Sequence, residues 1–176
     1  MFTQYGVKTV RLDDIAQQLG ISKTTVYHHV SDKEELVRLV LEDQLNDALQ
    51  QASAIQTQAP DAINGALHLW DRLILYRRTV SPNLLRDIER HYPAVWDFFQ
   101  AFRKQYINTI LVANLRQGID QELYREDLNE TVIAWLWAEL SQWDIPISEA
   151  DTPIKHHFIR GLLTQKGLTF YDSLSL

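Results

Sequence analysis

Residues 11–36 read RLDDIAQQLGISKTTVYHHVSDKEEL: two short apolar-faced runs hinged on a glycine, a polar joint and the start of a longer amphipathic run. In the first run Leu12, Ile15, Ala16 and Leu19 recur at three- and four-residue spacing, which puts them on one face of a helix. Gly20 permits the tight turn after it, because a residue without Cβ tolerates positive φ. Ser22 is then placed to cap a second helix, its hydroxyl accepting from a backbone N–H two or three residues on, with Ile21 expected to pack back onto the first helix. Two helices crossing over a three- or four-residue turn form a helix-turn-helix.

The second helix has a composition that suits a DNA groove. Thr24 and Thr25 are small enough to approach base edges, where a hydroxyl donates or accepts and a methyl touches thymine. Lys23 adds a charge and Ser22 a hydroxyl, while Val26 and Val30 are expected to face inward. Tyr27, His28 and Lys33 suit phosphate contacts, which fix register without reading sequence. The same composition also suits the outer face of any small helical bundle.

Four short strings in this stretch, Asp14-Ile15-Ala16, Gly20-Ile21-Ser22-Lys23, Val26-Tyr27-His28-His29-Val30 and Lys33-Glu34-Glu35-Leu36, resemble the DNA-binding signature of the TetR family of bacterial transcription regulators. The resemblance covers roughly residues 2–41 without a gap. It implies an all-helical homodimer with an N-terminal helix-turn-helix domain and a larger C-terminal domain that binds a small effector and dimerises. It further implies a repressor that binds a double-stranded operator and releases it on effector binding. The stretch from Gln117 through Leu128 resembles, more loosely, a segment of that family's C-terminal domains.

Two positions depart from the family pattern. The helix that precedes Gly6 in the family is represented only by Met1–Tyr5, so the expectation is either a late start or a regulator with a weakly supported DNA domain. Arg11 stands where the family commonly has a capping Thr; a guanidinium has no acceptor, although it can reach a phosphate.

The 176 residues, 45% of them hydrophobic and including five Trp, seven Tyr and six Phe, suffice for a packed core and argue against disorder. The absence of cysteine excludes disulfides and cysteine-based chemistry and suits a reducing cytosol, the expected location. No N-terminal apolar core of a signal peptide is present, and no run approaches the ~20 apolar residues of a membrane span, so no membrane association is expected. The net charge of −6 runs against the basic footprint of a DNA-binding protein. Between residues 1 and 33, Lys8, Arg11, Lys23 and Lys33 outnumber Asp13, Asp14 and Asp32 by only one, a weak surplus for a DNA-facing surface.

Beyond the signature, Ser31 with Glu34 reads as a capping box opening a long helix. Its apolar stripe runs through Leu36, Val37, Val40, Leu41 and Leu45 and on through Ala48, Leu49 and Ala52, so it links the DNA domain to the C-terminal part of the chain; Ser53–Pro60 is where it should fray and stop. The domain boundary falls near Asp47, giving residues 1–47 and 48–176. Ser81-Pro82 and Pro93 open further helices, the latter predicted to end at Gly118. A helix capped at Asp127 with Glu130 is apolar on nearly every side from Val132 to Trp143, and Thr152-Pro153 starts the last helix, with Gly161 expected to allow close approach. No alternating β pattern occurs, so the predicted class is all-α.

A helix apolar all round must be covered all round. Trp137, Leu140, Phe158, Ile159, Leu162 and Leu163 are therefore expected to form an isologous four-helix dimer interface. The C-terminal aromatics Trp70, Trp96, Phe99, Phe102, Tyr106 and Trp135 are candidate walls for a small apolar or amphipathic effector, with Arg103, His68 or Asn114 as polar contacts; ordinary core packing would use the same residues. His28-His29 and His156-His157 are adjacent on helices, point about 100° apart and do not suit one metal ion, although the second pair could make assembly pH-sensitive. No phosphate loop, nucleophile elbow or ordered acid–base set is present, so neither an enzyme nor a cofactor is expected. The alternative function is a helical dimerisation or ligand-binding protein whose DNA domain is vestigial.

Overall fold

The computed structural model describes Phe2 and residues 6–79, 82–140 and 151–174. Among these the chain is helical with no strand: α1 (Leu12–Leu19), α2 (Lys23–His29), α3 (Lys33–Gln58), α4 (Ala62–Thr79), α5 (Pro82–His91) and α6 (Pro93–Tyr106) come first. A π-helical turn, Ile107–Leu111, joins α6 to α7 (Val112–Asp120), and α8 (Glu130–Leu140), α9 (Asp151–Leu162) and α10 (Gln165–Ser173) complete the order. The all-α class read from the sequence is what the chain adopts. Two compact units are present, Met1–Ala48 with Arg78–Arg103, and Leu49–Arg77 with Lys104–Leu176.

In the first unit Leu12 and Ala16 of α1 pack on Val26 and Val30, with Ile15 and Leu36 at the margin. Gly20 at φ +67° ends α1, and the Ile21 N–H returns to the Ala16 carbonyl at 3.0 Å, satisfying a terminal acceptor. Ile21 itself is exposed rather than packed back, because that return bond turns the chain outward before the next cap. Arg11 gives no side-chain cap, as its chemistry requires; instead the Asp14 carboxylate accepts from the Arg11 N–H at 2.8 Å. The cap of α3 lies one residue later than predicted: Asp32 accepts from Glu35 N–H at 2.9 Å, and Glu35, not Glu34, reaches back to Ser31. Those two bonds from Ser31 hold the Glu35 carboxyl below its ordinary pKa. Val37, Leu41 and Leu45 form the buried stripe of α3 in this unit, and Leu84 and Ile88 that of α5.

The second unit is built on α4, whose Ala62, Ile63, Ala66, Leu69 and Trp70 are all buried. The π turn and α7 pack against α8. Thr109 Oγ1 donates to the Gln105 carbonyl at 2.8 Å, a side-chain bond of the kind that competes with the regular ladder where the helix widens. The helix therefore runs through to Asp120 instead of ending at Gly118, and Gly118 serves packing: a Cβ there would lie 2.0 Å from the Tyr124 ring. Asn129, not Asp127, caps α8, accepting from Val132 N–H at 3.1 Å. Among the described residues of this chain, nothing lies within 4 Å of where a Gly161 Cβ would stand. Past Leu162 the chain forms one more helix, α10, capped by Thr164, whose hydroxyl accepts from Gly167 N–H at 3.0 Å. The α3 helix continues to Gln58 before Pro60, so Ser53–Gln58 is helical. Ser81 and Trp143 lie outside the described residues.

One buried polar network organises this unit. Asn114, the sole fully buried polar side chain among the described residues, donates to the Ala62 carbonyl at 3.0 Å. Tyr124 donates to the same carbonyl at 2.9 Å and lies 3.3 Å from Asn114 Oδ1. Gln121 accepts from Ala62 N–H at 2.9 Å, so both main-chain groups of the first α4 residue are held by side chains.

Candidate nucleic-acid interface

The α2 helix is positioned by its cap. Ser22 Oγ accepts from Thr25 N–H at 3.1 Å and contacts Thr25 Oγ1 at 2.8 Å, while Val26 is buried. Arg11, Ser22, Lys23, Thr24, Tyr27 and His28 are exposed, and Thr25 is half-buried with its hydroxyl turned to the cap. Tyr27 keeps 53% of its surface, an uncovered aromatic next to hydroxyls and imidazole.

The two lysines are less available than their spacing suggested. Lys23 Nζ forms an ion pair with Asp13 of α1. Lys33 is half-buried and its ammonium approaches the Lys8 carbonyl at 3.5 Å. Burial, opposed by Asp87, holds Lys33 below the ordinary lysine pKa. Asp87 also accepts from Lys8 N–H at 3.2 Å, tying the segment before α1 to α5. Asp13 and Asp87 thus take up part of an already small positive surplus.

An apolar groove of about 360 Å³ opens in the same unit, lined by Phe2, Ile15, Leu19, Leu36 and Val40 with Gln18 and Gln44. Leu19 is 65% exposed at its rim, so the α1 face continues past the buried pair Leu12 and Ala16 into this groove.

The expected effector residues divide between the units. Trp96, Phe99, Phe102 and Arg103 belong to the first, where the Trp96 and Phe99 rings are 5.4 Å apart; Trp70, Tyr106 and Trp135 belong to the second. Trp70 stacks with Trp137 at 6.2 Å, and both meet Phe158, at 5.2 and 5.8 Å. His68 is exposed and Asn114 is committed to its network.

The expected interface residues are largely internal. Trp137 and Ile159 have no exposed surface, and Phe158, Leu162 and Leu163 are buried within the same chain. Trp137 and Ile159 are thus covered by side chains of their own chain. On α8 the exposed large apolar side chains are Val132, Trp135 and Leu136, at 59, 36 and 43% exposure, one helical stripe away from the buried Ala134, Trp137 and Ala138. Leu140 is half-buried.

A short capped helix, presented outward by a packed partner helix, defines a helix-turn-helix protein. Residues 1–40 match the family model described as bacterial regulatory proteins, tetR family. An uncharacterized HTH-type transcriptional regulator, YvaF of Bacillus subtilis (strain 168), is 22% identical over 151 residues, covering 85% of this chain and 77% of its own. The TetR family transcriptional regulator PfmR from Thermus thermophilus shares the fold at a TM-score of 0.69 and 23% identity, with 93% of this chain and 94% of that one covered. AibR, solved in complex with isovaleryl coenzyme A and operator DNA, does so at 0.59 and 19%, covering 92% and 91%. Residues 1–40 thus carry a match to the tetR-family DNA-binding model, and the relatives named here are described as transcriptional regulators. Among the described residues no helix is long and apolar enough to cross a membrane.

Proposed function

We propose that the protein is a dimeric repressor that binds a double-stranded operator through α2 and is released by a small apolar or amphipathic effector. The observation that carries it is the Ser22 cap, which sets Lys23, Thr24, Tyr27 and His28 outward while Val26 anchors the helix. In this reading residues 1–47 contact DNA, with Arg11, Ser22 and Thr25 beside the outward set and Lys33 supporting from behind. Residues 48–176 bind effector and dimerise. Two α2 helices in a dimer engage half-sites one DNA turn or a multiple apart. An effector releases DNA only by favouring a state with the wrong spacing.

The test is binding of the full chain to its own upstream promoter fragment and to a scrambled duplex, at about 50 mM and about 200 mM salt. Preference for the promoter with affinity falling as salt rises supports the reading. Equal or absent binding by a folded protein retires it. That outcome favours the second reading, a ligand-binding or dimerisation protein with a vestigial DNA domain, to which the Lys23–Asp13 pair and the apolar groove beside α1 already lend weight.

A further inference from the structure

On α4, Leu69, Arg72, Leu73 and Tyr76 share one face, since they fall three, four and seven residues apart. Leu69 on that face is fully buried, so a guanidinium and a phenol follow an apolar residue toward the interior. The Arg72 Nε and the Tyr76 hydroxyl are both buried without a hydrogen-bond partner. No ion pair among the described residues involves Arg72. Burying donors unmatched is costly, and burying part of a cation without an acceptor more so. The other unsatisfied side-chain atoms among the described residues of this unit are also donors, the indole N–H groups of Trp70 and Trp137. Among the described residues of this unit, the buried unsatisfied side-chain groups are thus all able to donate, and one of them belongs to a guanidinium.

Burial pushes the Tyr76 pKa up to about 12, so the phenol remains a donor at neutral pH. Burial also raises Tyr106, with the Arg72 charge opposing, which places that cation within electrostatic reach of a second phenol. A planar fork of N–H donors beside a hydroxyl matches the two oxygens of a carboxylate.

We propose that Arg72 and Tyr76 form the recognition point for the carboxylate of an amphipathic effector, a site class that deepens and rests on the ligand-responsive reading above. The charged head pairs with the guanidinium and accepts from the phenol, while the apolar body remains among the surrounding hydrophobic side chains. Discrimination arises because an uncharged analogue leaves the same donors unmatched.

The test is calorimetric titration of the full chain with octanoate, octanamide, octan-1-ol and inorganic phosphate, repeated on Arg72→Gln, Arg72→Lys and Tyr76→Phe, each checked for native helicity and melting. Octanoate is expected to bind at least about 10-fold more tightly than octanamide or octanol, with Arg72→Gln abolishing that preference and Tyr76→Phe reducing it several-fold. Arg72→Lys keeps the charge but not the fork, so binding weakens while the preference for octanoate persists; it serves if the glutamine variant does not fold. Octanoate binding no tighter than octanamide, a preference that survives Arg72→Gln, equal displacement by phosphate, or no octanoate binding overturns the assignment. Promoter binding is measured alongside. Salt-sensitive promoter binding without octanoate preference sinks this inference alone, whereas Arg72-dependent octanoate binding without promoter binding sinks the repressor reading and leaves the carboxylate site standing.

Discussion

The ring of Tyr124 lies across Gly118 so closely that a Cβ on the glycine would stand 2.0 Å from the ring, while the Tyr124 hydroxyl reaches the Ala62 carbonyl at 2.9 Å. Shape and hydrogen bonding at one tyrosine thereby join α7, the turn after it and the start of α4. Gly118→Ala is expected to destabilise the protein by about 1–3 kcal/mol, because the buried ring must move. Tyr124→Phe should cost about 1–2 kcal/mol by leaving Asn114 and the carbonyl short of a donor. Urea denaturation of both variants checks this; a neutral Gly118→Ala would show that the ring has room to shift.

In the proposed DNA complex, the salt bridge between Lys23 and Asp13 would compete with a phosphate for the one lysine on the outward helix. Asp13→Asn should free it, raising duplex affinity and steepening the logarithmic salt dependence by about one unit. Fluorescence anisotropy over a salt series reads both quantities. An unchanged slope would mean that Lys23 does not meet a phosphate.

Removal of the α2 cap tests the same helix from its other end. Ser22→Ala loses the bond to Thr25 N–H and should cost about 1 kcal/mol, with faster amide exchange confined to the first turn of α2. Exchange that stays slow there would mean the packing of Val26 holds the helix without its cap.

Two apolar stripes of α8 separate stability from assembly. Trp137→Ala removes a fully buried indole from the stack with Trp70 and Phe158 and should cost about 3–5 kcal/mol. Leu136→Asp, on the open stripe, should leave the melting temperature of the monomer nearly unchanged and, under the proposed dimer, shift sedimentation toward monomer. A Leu136→Asp protein that sediments like the wild type would place the dimer contact elsewhere.

Acid should weaken the packing of α10. His156 Nδ1 contacts the Tyr171 hydroxyl, and desolvation, Lys155 and Arg160 hold the imidazole below its ordinary pKa while Asp71 opposes them. The native state thus prefers the neutral ring, and the unfolded chain takes up the proton first as pH falls. Stability from this contact is present above the ordinary histidine value of 6.5 and is lost as pH drops through it toward the folded value. His156→Gln should flatten the change in urea midpoint between about pH 7.5 and about pH 5. Equal slopes in the two proteins would assign the acid sensitivity to other groups.

What the sequence determined alone were features closed within one or two helical turns. The Leu12 and Ala16 face, the positive φ of Gly20, the Ser22 cap and the inward Val26 each depend on neighbours three or four residues away, where side chains meet by helix geometry. Where caps shifted by a residue or two, at Asp32 and Asn129, several acceptors competed for the same N–H groups and only the path of the preceding chain chose among them. Long-range packing decided the rest. On α8 both stripes are apolar in sequence, yet Trp137 is covered by Trp70 and Phe158 while Leu136 stays open. Gly118 looked like a helix stop until Tyr124 folded over it, and nothing in the local sequence around Arg72 signalled that its Nε would be buried. Periodicity tells which residues share a face; which faces are covered depends on segments dozens of residues away, and only the assembled tertiary structure brings those into contact.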